Sequence, residues 1–363
     1  MIDRNQLRNI DWILIGLLVL NSSIGLAFIH SSSHHLYGNY ALKQFLWIVI
    51  SLFALFLFLS LSYRTLVNYS LYFYTVIVIL LVGILLFGTL TSGAKSWIVL
   101  PFFWIQPSEI AKIIVILAVA YIFSNYKREY LTVGQGLLSS LVVFVPVALI
   151  ALQPDLGTAL TYIPILLAAF LLAGLRRRTL IVFVILALLV GIVGWSMFLK
   201  DYQKERITTL VSPEKDPLGA GYHTIQSKIA IGSGGFFGKG YKKGTQSQLR
   251  FLPARHTDFI LSVIGEEFGF MGVVIIFLCY FLFLMRLFQS VAKSRDRTGA
   301  YIIFMVALTI AFQFFVNVFM TIGLFPIAGV PLPLVSYGGS SLLTNYLAVS
   351  LVLNIKMRRF VNV

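Results

Sequence analysis

One aspartate stands among cations at the point where a polar stretch turns apolar. Asp258 closes the run Arg250-Phe251-Leu252-Pro253-Ala254-Arg255-His256-Thr257-Asp258-Phe259, with Arg255 and His256 just ahead of it. A low dielectric holds a proton on a carboxyl group, and neighbouring cations draw it off. That balance suits a general base working near neutral pH. The plainer alternative is an N-cap for the helix that follows. His256 has no metal-ligand spacing around it and reads as a hydrogen-bonding group.

Three other clusters carry polar groups into apolar surroundings. In Pro107-Ser108-Glu109-Ile110-Ala111-Lys112, the acid and the cation are three residues apart, on one helical face. Pro107 suits the first turn of that helix. Glu109 and Lys112 are either a structural ion pair at a helix end or one polar wall of a substrate cavity. Lys95 and Trp97, in Gly93-Ala94-Lys95-Ser96-Trp97, place a cation and an indole on the same side. Trp97 taken alone fits an aromatic-belt anchor. Asp155, in Gln153-Pro154-Asp155-Leu156-Gly157-Thr158, lies in a tight turn, where an acid could cap the next helix.

The elements that position these groups are membrane helices. Of 363 residues, 59% are hydrophobic and only 11% charged, well below the ~25% charged of soluble domains. Apolar runs long enough to cross a bilayer recur along the chain, and in lipid such runs must be helical. The expectation is an all-α polytopic membrane protein, one domain over 1–363. Ten helices are expected near 12–30, 42–60, 69–90, 108–124, 137–152, 157–174, 179–198, 259–286, 300–323 and 338–355. Pro146, Pro164 and Pro326 are expected to mark kinks. The first run follows Arg4 and Arg8 as a signal peptide would, but it is too long and lacks a cleavage pattern. It is read as the first transmembrane helix.

Lysine and arginine set the orientation. With the N-terminus inside, the cytoplasmic segments hold Arg4, Arg8, Arg64, Lys127, Arg128, Arg176–Arg178, Arg286, Lys293, Arg295, Arg297, Lys356, Arg358 and Arg359. The short outer connections hold only Lys43 and Lys95. Both termini are therefore expected in the cytoplasm. The net charge of +15 is read as topology, with no nucleic-acid partner. Asp3, Asp11, Glu129 and Asp296 fall at cytoplasmic ends and read as solvated or capping charges. Glu109, Asp155, Asp258, Glu266 and Glu267 gather at outer helix ends, where acids face partners or a wet cavity. The lone Cys279 excludes an internal disulfide and argues against a metal–thiolate site.

A single long outer loop, 199–257, joins helices 7 and 8. Tyr222–Ile231 within it reads as an amphipathic interfacial helix. The stretch after it, with Gly232, Gly234, Gly235, Gly238, Gly240 and Gly244 between Lys239, Lys242 and Lys243, matches no nucleotide fingerprint. It reads as a flexible basic cover near headgroups. Farther on, Asn317 and the proline-rich run Gly323–Ser341 read as an ordered re-entrant turn packed by its neighbours.

The run from Asn317 to Ser341 resembles the signature of the SEDS family, the RodA, FtsW and SpoVE proteins. Pro107–Lys112, Gln153–Gly157 and His256–Phe259 are similar to the family's other marks, in the same order, and the likeness covers nearly the whole chain. Gly244-Thr245-Gln246-Ser247 and Leu252-Pro253-Ala254-Arg255-His256 look more like RodA than FtsW. The resemblance implies a peptidoglycan glycosyltransferase of the bacterial cytoplasmic (inner) membrane, active in cell-wall elongation and rod shape. Its substrates would be lipid II and an undecaprenyl-diphosphate-linked glycan, with Asp258 as the catalytic base. Glu109, Lys112, Asp155, Lys95, Trp97, Arg255, His256 and Ser336 would contact substrate. Ser96 departs from the family, which often has a basic residue before that Trp. A divalent cation, Mg or Mn, is a candidate helper for the diphosphate.

The resemblance further implies a class B penicillin-binding protein transpeptidase as partner, within a larger elongation complex. The chain has no soluble outer domain to house acylation chemistry of its own. The competing class is a lipid II flippase. An acid at the outer mouth rather than the midplane, and no visible internal repeat, favour chemistry on an already flipped substrate.

Overall fold

The computed structural model describes residues 9–33, 39–88, 96–99, 104–124, 131–174, 181–183, 185, 209–210, 220–249 and 251–358. The main helices are α1 (Trp12–Ser33), α2 (Tyr40–Ser60), α3 (Tyr63–Asn68), α4 (Ser70–Phe87), α5 (Pro107–Ser124) and α6 (Val133–Leu152). Then come α7 (Leu156–Leu160), α8 (Ile163–Ala173), α9 (Ala220–Ser233), α10 (Thr245–Gln248), α11 (Ile260–Ala292), α12 (Arg297–Thr321) and α13 (Gly339–Met357). A two-residue antiparallel pair, β1 (Ile98–Val99) with β2 (Trp104–Ile105), precedes α5.

Among the described residues, eight helices are long and apolar enough to cross a bilayer, counting α7 and α8 together. With α13, nine of the ten expected runs have helical counterparts. The tenth, 179–198, lies almost wholly outside the described residues. The protein is a multi-pass, all-α membrane protein.

Lipid as solvent inverts the usual pattern. The outward faces of α2 and α4 are apolar, with Phe53, Leu57, Val76, Ile79 and Phe87 exposed. Polar side chains instead point inward, where partners exist. Asn354 on α13 donates to the carbonyls of Phe58, Leu59 and Leu61 at the end of α2, satisfying groups the helix itself leaves open. Its helix, α13, packs against α2, α5 and α12 and is buried along most of its length.

Pro146 sits inside α6, but Pro164 begins α8 after a turn at Thr161–Tyr162, and Pro326 lies in a loop. Another break needs no proline: Gly269 in α11 has φ 63° and ψ −157°. The broken ladder is completed by the glycine-rich segment. Lys239 and Gly240 amides donate to the Glu266 and Glu267 carbonyls, and Phe270 and Met271 amides donate to Gly235 and Phe236.

The expectation of a flexible cover is thus corrected for residues 232–249. The Glu266 carboxylate accepts from the Gln246 and Ser247 amides at 2.8 and 2.9 Å and from Lys239 Nζ at 2.8 Å. Glu267 accepts from Ser31 Oγ at 2.5 Å. These two acids fasten the loop to α11 and α1. Glu266→Ala removes an acceptor worth ~1.5–3 kcal/mol per charged hydrogen bond. Trypsin should then cut at Lys239, Lys242 or Lys243 about tenfold faster or more, a factor that 1.4 kcal/mol already supplies. Unchanged digestion would show that the fastening lies elsewhere.

The acids at the opposite end also sort out. Asp296 caps α12 through the Gly299 amide, as expected. Of the two readings for Asp11, capping holds and solvation does not: it accepts from the Leu14 amide at the start of α1, is 6% exposed and pairs with Arg286 at 2.8 Å and with Lys356.

Candidate active site

The proline-rich segment after α12 folds back across the chain entering α11. Three successive carbonyls of that entry are gripped, two from this segment and one from α12. The Tyr337 amide donates to His256, Ser336 Oγ to Thr257 at 2.5 Å, and Asn317 Nδ2 to Asp258 at 2.9 Å. Asn317 Nδ2 also donates to Val330 at 2.9 Å, and Ser336 Oγ accepts from the Leu332 amide. Tyr280 of α11 donates to the Pro333 carbonyl, and Gln44 of α2 accepts from the Gly338 amide at 3.3 Å. Asp258 therefore sits on a backbone fixed from both sides, while its residue keeps accessible surface.

Asp155 approaches the same segment from the other direction. It caps α7, accepting from Thr158 N at 3.1 Å and Thr158 Oγ1 at 2.9 Å, and it takes a third bond from Gln106 Nε2 at 2.7 Å. A Cβ on Gly157 would collide with the Ala328 carbonyl, so the start of α7 lies directly against Ala328–Gly329. On the far side, a Cβ on Gly329 would come 3.9 Å from Asp258 Oδ2. Gly329 has φ 69°, a conformation costly for other residues. One glycine thus separates the two acid-bearing turns.

Glu109 and Lys112 pair at 2.8 Å on the first turn of α5, both almost fully buried. They are close enough to act on Asp155. Burial raises the Asp155 carboxyl above its usual range, the Thr158 bonds oppose this, Glu109 adds to the rise and Lys112 subtracts from it. The Gln106 amide donates to Ser340 Oγ at 3.0 Å, and Ser340 Oγ donates to the Trp104 carbonyl. The amino ends of α5 and α13 and the β1–β2 pair are joined there.

Trp97 stands half-buried at the start of β1, its ring 6.4 Å from Trp104. Lys95 lies outside the described residues. Arg255 is buried, with a guanidinium N–H on the Ser247 carbonyl. The His256 ring packs against Tyr40 at 4.8 Å and Tyr337 at 5.7 Å. Burial, assisted by Arg255, lowers its basicity to a pKa of about 4. Its imidazole is neutral at pH 7 and offers hydrogen bonds, not charge. Gln106, Thr158, Ser340 and the clasping role of Asn317 were not legible in the sequence. Gln106, Ser340 and Asn317 each act on a group far away in the chain, whereas Thr158 bonds Asp155 only three residues off.

The model of cell cycle proteins of the FtsW, RodA and SpoVE type matches residues 8–360. The chain belongs to the FtsW/RodA/SpoVE family. A member from Escherichia coli K12, the peptidoglycan glycosyltransferase MrdB, is 43% identical over 273 residues, 75% of this chain and 74% of that one. The peptidoglycan glycosyltransferase RodA of Treponema pallidum is 34% identical, over 96% and 98% of the two chains. Among solved structures, a chain from work on coordination of polymerization and crosslinking by a peptidoglycan synthase complex superposes with a TM-score of 0.83. It is 34% identical, over 97% of this chain and 99% of that one. RodA of Thermus thermophilus superposes with a TM-score of 0.73 at 28% identity, over 97% and 98%.

Proposed function

We propose that the chain is a peptidoglycan glycosyltransferase that polymerises lipid-linked glycan during cell-wall elongation, with Asp258 as general base. The family membership and the relatives' named activity, over three quarters of the chain or more, support the reaction class. One observation carries the assignment of the base. Asp258 is an acid with accessible surface on a turn whose carbonyls are gripped at three consecutive residues. Holding a catalytic group in place is where much of an enzyme's advantage arises.

In this reading the Asp258 carboxylate takes the proton from the 4-hydroxyl of the acceptor's terminal GlcNAc on lipid II. The oxygen forms a bond to the anomeric carbon of the donor strand's MurNAc. The bond from that carbon to undecaprenyl diphosphate breaks, the diphosphate leaves with the electron pair, and the new link is β-1,4 with inversion. Negative charge develops on the diphosphate, so cations and oriented dipoles near it lower the barrier. The amino ends of α5, α11 and α13 meet around the proline-rich segment and supply a positive field. Lys112, steadied by Glu109, and Lys95 supply charge. Asp155 and Trp97 line the polar wall, and neutral His256 hydrogen-bonds a sugar hydroxyl. Arg255 and Ser336 contribute by holding the turn.

The described residues offer no group of three or more His, Cys, Asp or Glu arranged for a metal. Asp155 already accepts three hydrogen bonds, and Glu109 is paired with Lys112. Among the described residues, this donor set does not fit a divalent ion held by the protein alone. The site end of the bundle faces outward from the cytoplasmic membrane, with both termini inside. A class B penicillin-binding protein transpeptidase is the partner that would crosslink the strands.

The test is incubation of the purified chain, with and without that partner, with lipid II. Glycan polymer supports the reading, whereas lipid II translocation without polymer supports a flippase. The clasp can be tested separately. Asn317→Ala leaves the Asp258 carbonyl without its donor, and a misplacement of the order of 1 Å can lower turnover about a hundredfold. Turnover of folded enzyme should fall by about that factor, with the KM for lipid II little changed. A loss that tracks only the amount of folded protein would reduce Asn317 to a structural residue.

A further inference from the structure

At the end of the bundle opposite the site, a cavity of about 380 Å³ opens where α1, α11 and α13 meet. It is broadly open to its surroundings rather than enclosed. Asn9, Asp11, Trp12, Ile13, Arg286 and Lys356 line it. Among the described residues its charge does not balance, because two cations face one carboxylate. Asp11 is fully engaged: Oδ1 accepts from Arg286 Nη2 and the Leu14 amide, and Oδ2 accepts from Arg286 Nε and Lys356 Nζ. A guanidinium and an ammonium carry eight N–H donors between them, and only three go to Asp11. Lys293 adds further positive charge at Lys356. Lys356 is 9% exposed, so part of this positive charge is held below the protein surface.

The rim has the opposite character. Trp12 and Ile13 are 59% and 61% exposed at the first turn of a bilayer-spanning helix. An indole there belongs at headgroup depth, with hydrocarbon beside it. The site thus offers cations to a phosphate and apolar surface to what the phosphate is attached to.

We infer that this cavity binds the phosphate headgroup of an anionic glycerophospholipid from the adjoining leaflet. Basic pockets between membrane helices favour such headgroups, and a bound lipid would tie the ends of α1, α11 and α13 together. The inference is independent of the glycosyltransferase reading. It requires only that these helices span a bilayer.

The test is native mass spectrometry and thermal unfolding of the full chain. The probes are phosphatidylglycerol, phosphatidylcholine with the same acyl chains, and inorganic phosphate alone. Phosphatidylglycerol should be retained over phosphatidylcholine and should raise the unfolding temperature more. Asn9→Asp adds a negative charge without touching the Asp11 cluster. It should weaken that preference about fivefold, the worth of one charge at a membrane surface, and Asn9→Lys should strengthen it. Lys356→Met should weaken it too. Equal retention of the two lipids, or Asn9 variants that do not move the preference in opposite directions, would overturn the proposal. Equal stabilisation by inorganic phosphate would overturn the lipid assignment and leave a site for soluble phosphate.

Discussion

Asp258→Asn is expected to lower the rate of glycan polymerisation by about 10²–10⁴, the usual contribution of a positioned general base. The amide is nearly isosteric and keeps the backbone clasp, because Asn317, Ser336 and Tyr337 bind carbonyls rather than the carboxylate. Folding and lipid II binding should therefore persist. The loss should appear in kcat with little change in KM, as expected when an interaction made only in the transition state is removed. Polymer length measured from fluorescent lipid II, beside the unfolding temperature, separates these quantities. Wild-type turnover in Asp258→Asn would end the assignment of Asp258 as base and move that role to another acceptor. Because Asn317→Ala acts on the same group from behind, combining it with Asp258→Asn should add little further loss.

Lys112→Met is expected to be the most destabilising single change at the site. It leaves the Glu109 carboxylate, almost wholly enclosed, without its cation. Breaking a buried pair from one side costs about 3–5 kcal/mol, whereas replacing both partners by groups of similar volume can be nearly neutral. The double variant Glu109→Gln/Lys112→Met should recover most of the lost unfolding temperature. Activity then distinguishes the two readings of the pair. If it only closes the first turn of α5, the double variant polymerises lipid II normally. If it forms the polar wall beside the leaving diphosphate, the double variant is stable and slow, and the latter is the expected result. A double variant as unstable as Lys112→Met would show that Glu109 is not what the lysine neutralises.

The sequence by itself determined the solvent, the helices and the chemical inventory. Hydropathy is a local property, so the runs that became α1, α2, α4, α5, α6 and α12 could be placed from composition alone. The Glu109–Lys112 pair was legible for the same reason, since three residues of helix bring the two side chains together wherever that helix packs. The Asp155 cap was local too, with its partner Thr158 three residues away.

Tertiary structure decided what lay across long separations. Asn317 and Asp258 are 59 residues apart, Ser336 and Thr257 are 79 apart, and no periodicity links either pair. The break at Gly269 was invisible because glycine is tolerated in helices. Hydrogen bonds with the glycine-rich segment, from Lys239 and Gly240 and to Gly235 and Phe236, make the broken conformation stable. Asp11 reads as a solvated or capping charge, and the sequence does not show that Arg286 and Lys356, from the last third of the chain, also close over it. A glycine-rich basic stretch looks mobile when judged by composition, yet two buried glutamates and a broken helix give its amides somewhere to bond. A buried charge or a free carbonyl must find a partner, and the sequence states that need without naming the partner, which only the packing of distant helices supplies.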